Sequence, residues 1–168
     1  MTERLDKGLL DFGLIIGEID RQKYEFITFP VQDSWGVLMR KDDPLAQLEY
    51  IRLDDLKSTP MLYSRHSIVK DVLTHSLDRE LNEPNLVGSF DLIRNASVFV
   101  EHGIGCVLTF DKLITVTDDS PLTFRPLKPG LHTPLHLAWK KHQIFSRAAQ
   151  VYLEMVHKVI DEYISEIP

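Results

Sequence analysis

A chain of 168 residues, 43% hydrophobic and 26% charged, has a globular composition with room for one domain or two small lobes, which excludes intrinsic disorder. Its formal net charge of −6 excludes the chain itself as the holder of a polyanionic duplex, because basic residues occur only in short spots such as Lys140-Lys141. The single Cys106 excludes an internal disulfide, and no apolar run approaches the length of a membrane span.

The N-terminus, MTERLDKGLLDFG, carries charges where a secretion signal needs its hydrophobic core, so a cytoplasmic protein is expected. A short helix over Thr2 to Lys7 leads to a strand from Leu10 to Ile16, and strand-like stretches follow at Tyr24 to Phe29 and Trp35 to Arg40. Met61 to Tyr63 reads as a short strand that feeds a helix with Ile68, Val69, Val72, Leu73, Ser76 and Leu77 on one face, capped by Ser64 or Ser67. Leu86 and Val87 open the next strand. A helix then follows, with Ser89 as N-cap, Asp91 in its first turn, a stripe of Leu92, Ala96, Phe99 and Val100, and a stop at His102-Gly103. Cys106 to Leu108 continue as a buried strand in which the cysteine reads as a structural thiol. Gly103-Ile104-Gly105 follows a helix and precedes a strand, the reverse of the order that a dinucleotide loop requires. Strands at Ile114 to Thr117, Leu122 to Leu127 and Leu131 to Trp139 come next. A long C-terminal helix closes the chain with Ser146 near its start. Its stripe of Phe145, Ala148, Ala149, Tyr152, Leu153, Val156, Ile160 and Tyr163 reads as core packing. The alternation of strand and helix through the middle of the chain predicts an α/β fold with a mostly parallel sheet.

The candidate chemistry is sparse. His132 and His136 fall on one face of a strand about 13 Å apart, too far for two ligands of one metal ion, so neither a metal nor a cofactor is expected. No nucleophile frame is present, and the pairs Asp42-Asp43, Asp54-Asp55 and Asp118-Asp119 read as solvated turns, so the chain is not expected to be an enzyme. Two polar stretches that lead into helices remain, Tyr63-Ser64-Arg65-His66-Ser67 and Gly88-Ser89-Phe90-Asp91. Free backbone N–H groups at a helix start attract carboxylate or phosphate, and Arg65 could add a bidentate bond; the bland alternative is that the serines only cap their helices.

From Leu5 to Val156 the chain resembles the effector-binding domain of LysR-type transcriptional regulators. The resemblance rests on Gly8-Leu9-Leu10-Asp11-Phe12-Gly13-Leu14-Ile15, on Val37 to Ala46 ending Asp43-Pro44-Leu45-Ala46, and on the helix and glycine hinge at residues 89–110. Phe124-Arg125-Pro126-Leu127 and Leu137-Ala138-Trp139-Lys140-Lys141 extend it. Asp43 stands where the family commonly has histidine.

The resemblance implies a two-lobed type 2 periplasmic-binding-protein-like α/β fold, N-terminally truncated, without the family's helix-turn-helix and the start of its regulatory domain. Lobe I would comprise 1–34 and 131–168, and lobe II 35–130. A small-molecule effector, expected to be anionic, would lie between the lobes near Gly17, Glu18, Ser64, Arg65, Ser67, Ser89, Phe90, Gly103 and Gly105. Dimerisation, and DNA contact only through an absent N-terminal domain, are also implied. A solute-binding protein of the same fold is the alternative, and a small hydrolase is a weaker rival.

Overall fold

The computed structural model describes residues 1–65 and 85–166. The helix expected around Ile68 to Leu77, and Ser67 with it, lie outside the described residues. The chain divides into two compact units, one of residues 1–32 and 133–168, the other of residues 33–132.

The first unit begins with α1 (Thr2–Asp6), whose Leu5 is fully buried, followed by β1 (Gly13–Ile16). Strand β1 is shorter than the expected Leu10 to Ile16 because the ladder with its neighbour begins only at Gly13, leaving Leu10, Asp11 and Phe12 outside it. β1 pairs antiparallel with β7 (His132–Lys140), Gly13 opposite Ala138 and Ile16 opposite Leu135, and β7 lies between β1 and the first half of β2 (Tyr24–Arg40). The two stretches expected at Tyr24 to Phe29 and Trp35 to Arg40 are one continuous strand of 17 residues. The closing helix α3 (Arg147–Glu166) is held at its start by Ser146, whose Oγ accepts a hydrogen bond from the Ala149 N–H at 3.2 Å. Phe12 anchors this end, stacked on Phe145 at 5.0 Å and close to Tyr152 and Trp139.

The stripe expected to pack α3 into a core does so only in part. Ala149 is buried and Leu153, Val156 and Ile160 are half-buried, but Ala148, Tyr152 and Tyr163 are exposed, as are Met155 and Val159. Apolar residues lie on more sides of this helix than the one stripe that is covered.

The second unit carries the larger core. Trp35, Val37, Leu38 and Met39 of β2 are all buried, so this half of the strand is covered on both faces and reads as a continuous apolar run. β2 pairs antiparallel with β5 (Cys106–Phe110) and with β6 (Leu122–Pro126). On the far side of β5, β3 (Met61–Ser64) runs parallel to β5 and to β4 (Leu86–Phe90). Helix α2 (Ile93–Glu101) packs Ala96 and Val100 onto Leu38, Leu62, Phe90, Val107 and Leu122. Within the stripe expected for α2, Leu92 and Phe99 are exposed instead, and Ser97 turns inward with its hydroxyl satisfied by the Arg94 carbonyl at 2.9 Å. Ile114 to Thr117, expected as a strand, form no ladder; Ile114 and Val116 pack against the core from a loop.

Candidate functional site

In the second unit β3 has β4 on one side and β5 on the other, all parallel. The chain therefore leaves β3 in one direction and returns past it through α2. In open α/β sheets ligands bind beyond the carboxyl ends of strands at such a reversal.

The carboxyl ends of β3 and β4 bring together residues that are 26 positions apart in sequence. Ser64 and Phe90 are in register, as are Tyr63 and Ser89. The Arg65 N–H donates to the Phe90 carbonyl at 2.9 Å, and the Arg65 guanidinium forms an ion pair with Asp91 at 3.0 Å. Both side chains of that pair are largely exposed. Ser64 is buried, Ser89 faces solvent, and Phe90 turns into the core against Leu38 and Val100.

The expectation that Ser89 caps a helix is corrected by this geometry. Ser89 belongs to β4, and α2 begins at Ile93 with Leu92 in the cap position and no side-chain cap. Backbone pairing with β3 extends the strand through Phe90 and postpones the helix by three residues. Ser64 is likewise the last residue of a strand. Asp91 does not serve the first turn of a helix; it neutralises Arg65.

The glycines follow from backbone geometry. Gly103 has φ of +74° and ends α2, its N–H donating to the Val100 carbonyl at 2.9 Å. A side chain on Gly105 would come within 2.7 Å of the Pro60 carbonyl oxygen, so β5 can start beside Pro60 only if this position is bare. Gly17, in the first unit, takes φ of +90° after β1 and donates to the Pro134 carbonyl at 2.9 Å; its neighbour Glu18 is exposed.

The other polar candidates have structural partners. Asp43 accepts from the Leu45 N–H and Asp55 from the Arg52 N–H, while Asp54 pairs with Lys57. The Arg40 guanidinium bonds Asp42, which holds that carboxyl below the usual carboxylate range, and donates to the Glu101 carbonyl at the end of α2. His132 bonds Ser34 and His136 bonds Thr28. Among the described residues no group of three or more His, Cys, Asp or Glu could hold a metal ion. Burial pushes the Cys106 thiol up to about 12, so at neutral pH it is protonated and inert as a nucleophile.

A feature that the sequence pattern missed lies at the carboxyl end of β5. A cavity of about 280 Å³ opens there, walled by Leu38, Phe110, Ile114, Val116 and Phe124. Its roof is the 111–121 loop, tied down by Lys41, whose Nζ donates to the Thr117 carbonyl at 3.0 Å and to that of Asp118, and whose N–H donates to the Pro121 carbonyl at 2.8 Å. Phe124 fits beside β2 because Gly36 has no side chain there. The signal available in sequence was Phe110-Asp111-Lys112 just beyond an apolar strand, but Ile114 to Thr117 also matched a strand pattern and concealed the loop.

Comparison with known proteins accords with this architecture. A family model described as LysR substrate binding domain matches residues 1–161. Among solved structures, the effector binding domain of QuiR in complex with shikimate superposes with a TM-score of 0.80 at 16% identity, covering 96% of this chain and 77% of that one. The CcmR regulatory domain of Synechocystis PCC6803 in complex with 2-PG gives 0.76 at 15% identity, covering 95% and 77%. The PA01 protein of Pseudomonas aeruginosa, described as a LysR family transcriptional regulator, gives 0.75 at 17% identity, covering 91% of this chain and 55% of its own. The chain thus spans about half the length of that protein. No individually curated protein matches the sequence. At these identities the structural likeness establishes the fold, the type 2 periplasmic-binding-like α/β arrangement of effector-binding domains.

Proposed function

This chain belongs to the LysR substrate binding domain family, and we propose that it is the effector-sensing regulatory domain of a cytoplasmic transcriptional regulator, not an enzyme. It binds a small organic anion at the carboxyl ends of β3 and β4, with Ser64, Arg65 and Ser89 as the principal contacts. The observation that best supports this reading is the paired carboxyl end of β3 and β4, where an exposed guanidinium and an exposed hydroxyl sit at a topological reversal. The QuiR and CcmR complexes with shikimate and 2-PG lend support to a small-molecule effector.

The Arg65–Asp91 pair also supports a mechanism. An exposed ion pair is worth about 0–1 kcal/mol, so an effector carboxylate can take one edge of the guanidinium at little cost. An effector that prefers one lobe arrangement shifts the population toward it, and this changes the geometry presented to DNA-binding domains outside this chain. The regulator acts as a homo-oligomer, and its DNA contact comes through those domains.

The test is a thermal screen of small organic acids, shikimate among them. A ligand at about a hundred times its dissociation constant adds roughly 2.7 kcal/mol, a rise of about 5 to 10 °C in melting temperature for a chain of this size. Arg65→Ala and Ser89→Ala should weaken the response while leaving the unliganded protein folded. If uncharged compounds raise the melting temperature and no anion does, or if both variants bind the hit as tightly as the parent, the reading fails.

A further inference from the structure

The cavity at the carboxyl end of β5 has no residue in common with the Ser64–Ser89 strand ends. Its volume, about 280 Å³, is at the small end of ligand pockets. An apolar cavity of about 150 Å³ holds benzene, so this one has room for a benzene-sized group together with two small charged ones. The walls of Phe110, Ile114 and Phe124 suit the apolar part.

The polar residues narrow the class. Two hydroxyl residues, Thr109 and Thr115, line the cavity together with one acidic residue, Asp111, and one basic residue, Lys112. Among the described residues neither charged side chain has a hydrogen bond or an ion pair, although the two are adjacent in sequence. Lys112 holds φ of +64°, a left-handed conformation that costs a residue with a side chain roughly 1–2 kcal/mol and that concentrates at ligand clamps. The loop keeps it despite that cost, with the Asp111 N–H bonded to the Ser34 carbonyl on one side and Lys41 fastening the other.

A ligand of a single charge would meet one partner and one repulsion here. A monocarboxylate would gain Lys112 and face Asp111, an amine the reverse, and a neutral hydrocarbon would leave both charges without a partner as it displaced their water. We propose that this cavity binds the zwitterion of an α-amino acid with an apolar side chain, its carboxylate on Lys112, its ammonium on Asp111 and its side chain among Phe110, Ile114 and Phe124. The site is separate from the one proposed for the organic anion and stands or falls on its own.

Isothermal titration of the 168-residue chain with L-phenylalanine and L-leucine tests this, with 3-phenylpropanoate and 2-phenylethylamine as the single-charge analogues. At least one amino acid should bind, at least tenfold more tightly than either analogue. Lys112→Ala and Asp111→Asn should each raise its dissociation constant at least tenfold without moving the melting temperature of the unliganded protein, and Thr115→Phe should abolish binding by filling the space. The analogue comparison on the parent chain decides the matter even if a variant fails to fold. Absence of binding by both amino acids at millimolar concentration, equal binding of a single-charge analogue, or unchanged affinity in both charge variants would overturn the proposal.

Discussion

Tyr24 shows how one residue in this fold acquires a measurable signature. It is buried in the first unit, and its hydroxyl donates to Asp6 Oδ1 at 2.6 Å, tying β2 to the end of α1. That hydrogen bond to a carboxylate, reinforced by burial and by the negative charge of Asp6, pushes the phenol from its ordinary 10.0 up to about 12. Folding therefore favours the protonated tyrosine. The resulting stabilisation is complete below pH about 10 and is lost as pH rises from there through 12. The difference in phenolate absorbance between the parent and Tyr24→Phe should titrate near 12, and the variant should lose less stability than the parent between pH 10 and 12. A difference midpoint near 10 would show that the Asp6 contact does not persist in solution.

Elements meet closely where β6 pairs with β2. A Cβ on Gly36 would overlap the Phe124 ring and the Arg125 carbonyl oxygen, and only the ring can move. Arg125 braces this pair of strands. Its guanidinium donates to the carbonyls of Ala46 at 2.8 Å, Leu48 at 2.7 Å and Phe124 at 3.0 Å, which fixes the turn Pro44–Gln47 against the strand. Overpacking costs roughly 1–3 kcal/mol and more where backbone is struck, so Gly36→Ala should destabilise the protein by about 3 kcal/mol. For this chain length the melting temperature should fall by roughly 6 to 12 °C. Adding Phe124→Leu should recover part of the loss, since it relieves the ring contact and leaves the carbonyl one. A Gly36→Ala protein as stable as the parent would mean that β2 and β6 are spaced more widely than this register implies.

At the scale of the whole molecule, the first unit leaves apolar side chains exposed. Met155 and Val159 on α3 are each 61% exposed, and Leu14, Tyr163 and Ile164 are exposed as well. Apolar surface of this extent gains about 25 cal/mol per Å² when removed from water, so isolated chains are expected to associate. Sedimentation velocity should find species larger than the monomer, and the pair Met155→Glu with Val159→Lys should return them to monomer without loss of helical signal. A parent chain that sediments only as a monomer at tens of micromolar would exclude α3 as an association surface.

The elements that sequence determines by itself here are those whose pattern is local. The alternation of apolar residues marked β7, and Gly103, free to take a positive φ, marked the end of α2. The motif series from Gly8 to Lys141 also made the family legible. Pairing across the sheet decided the rest, because a strand ladder can override the propensity of a residue such as Ser89, which looks like a cap in isolation and becomes part of β4 beside Tyr63. The same non-local chemistry gave Arg65 a carboxylate partner just beyond the neighbouring strand. It also left Ile114 and Val116 in a loop over a cavity, where they pack against the core without joining a ladder. The apolar stripe of α3 carried its spacing in the sequence, but which of its residues are covered depends on what the rest of the chain packs against it, and only the tertiary structure supplies that.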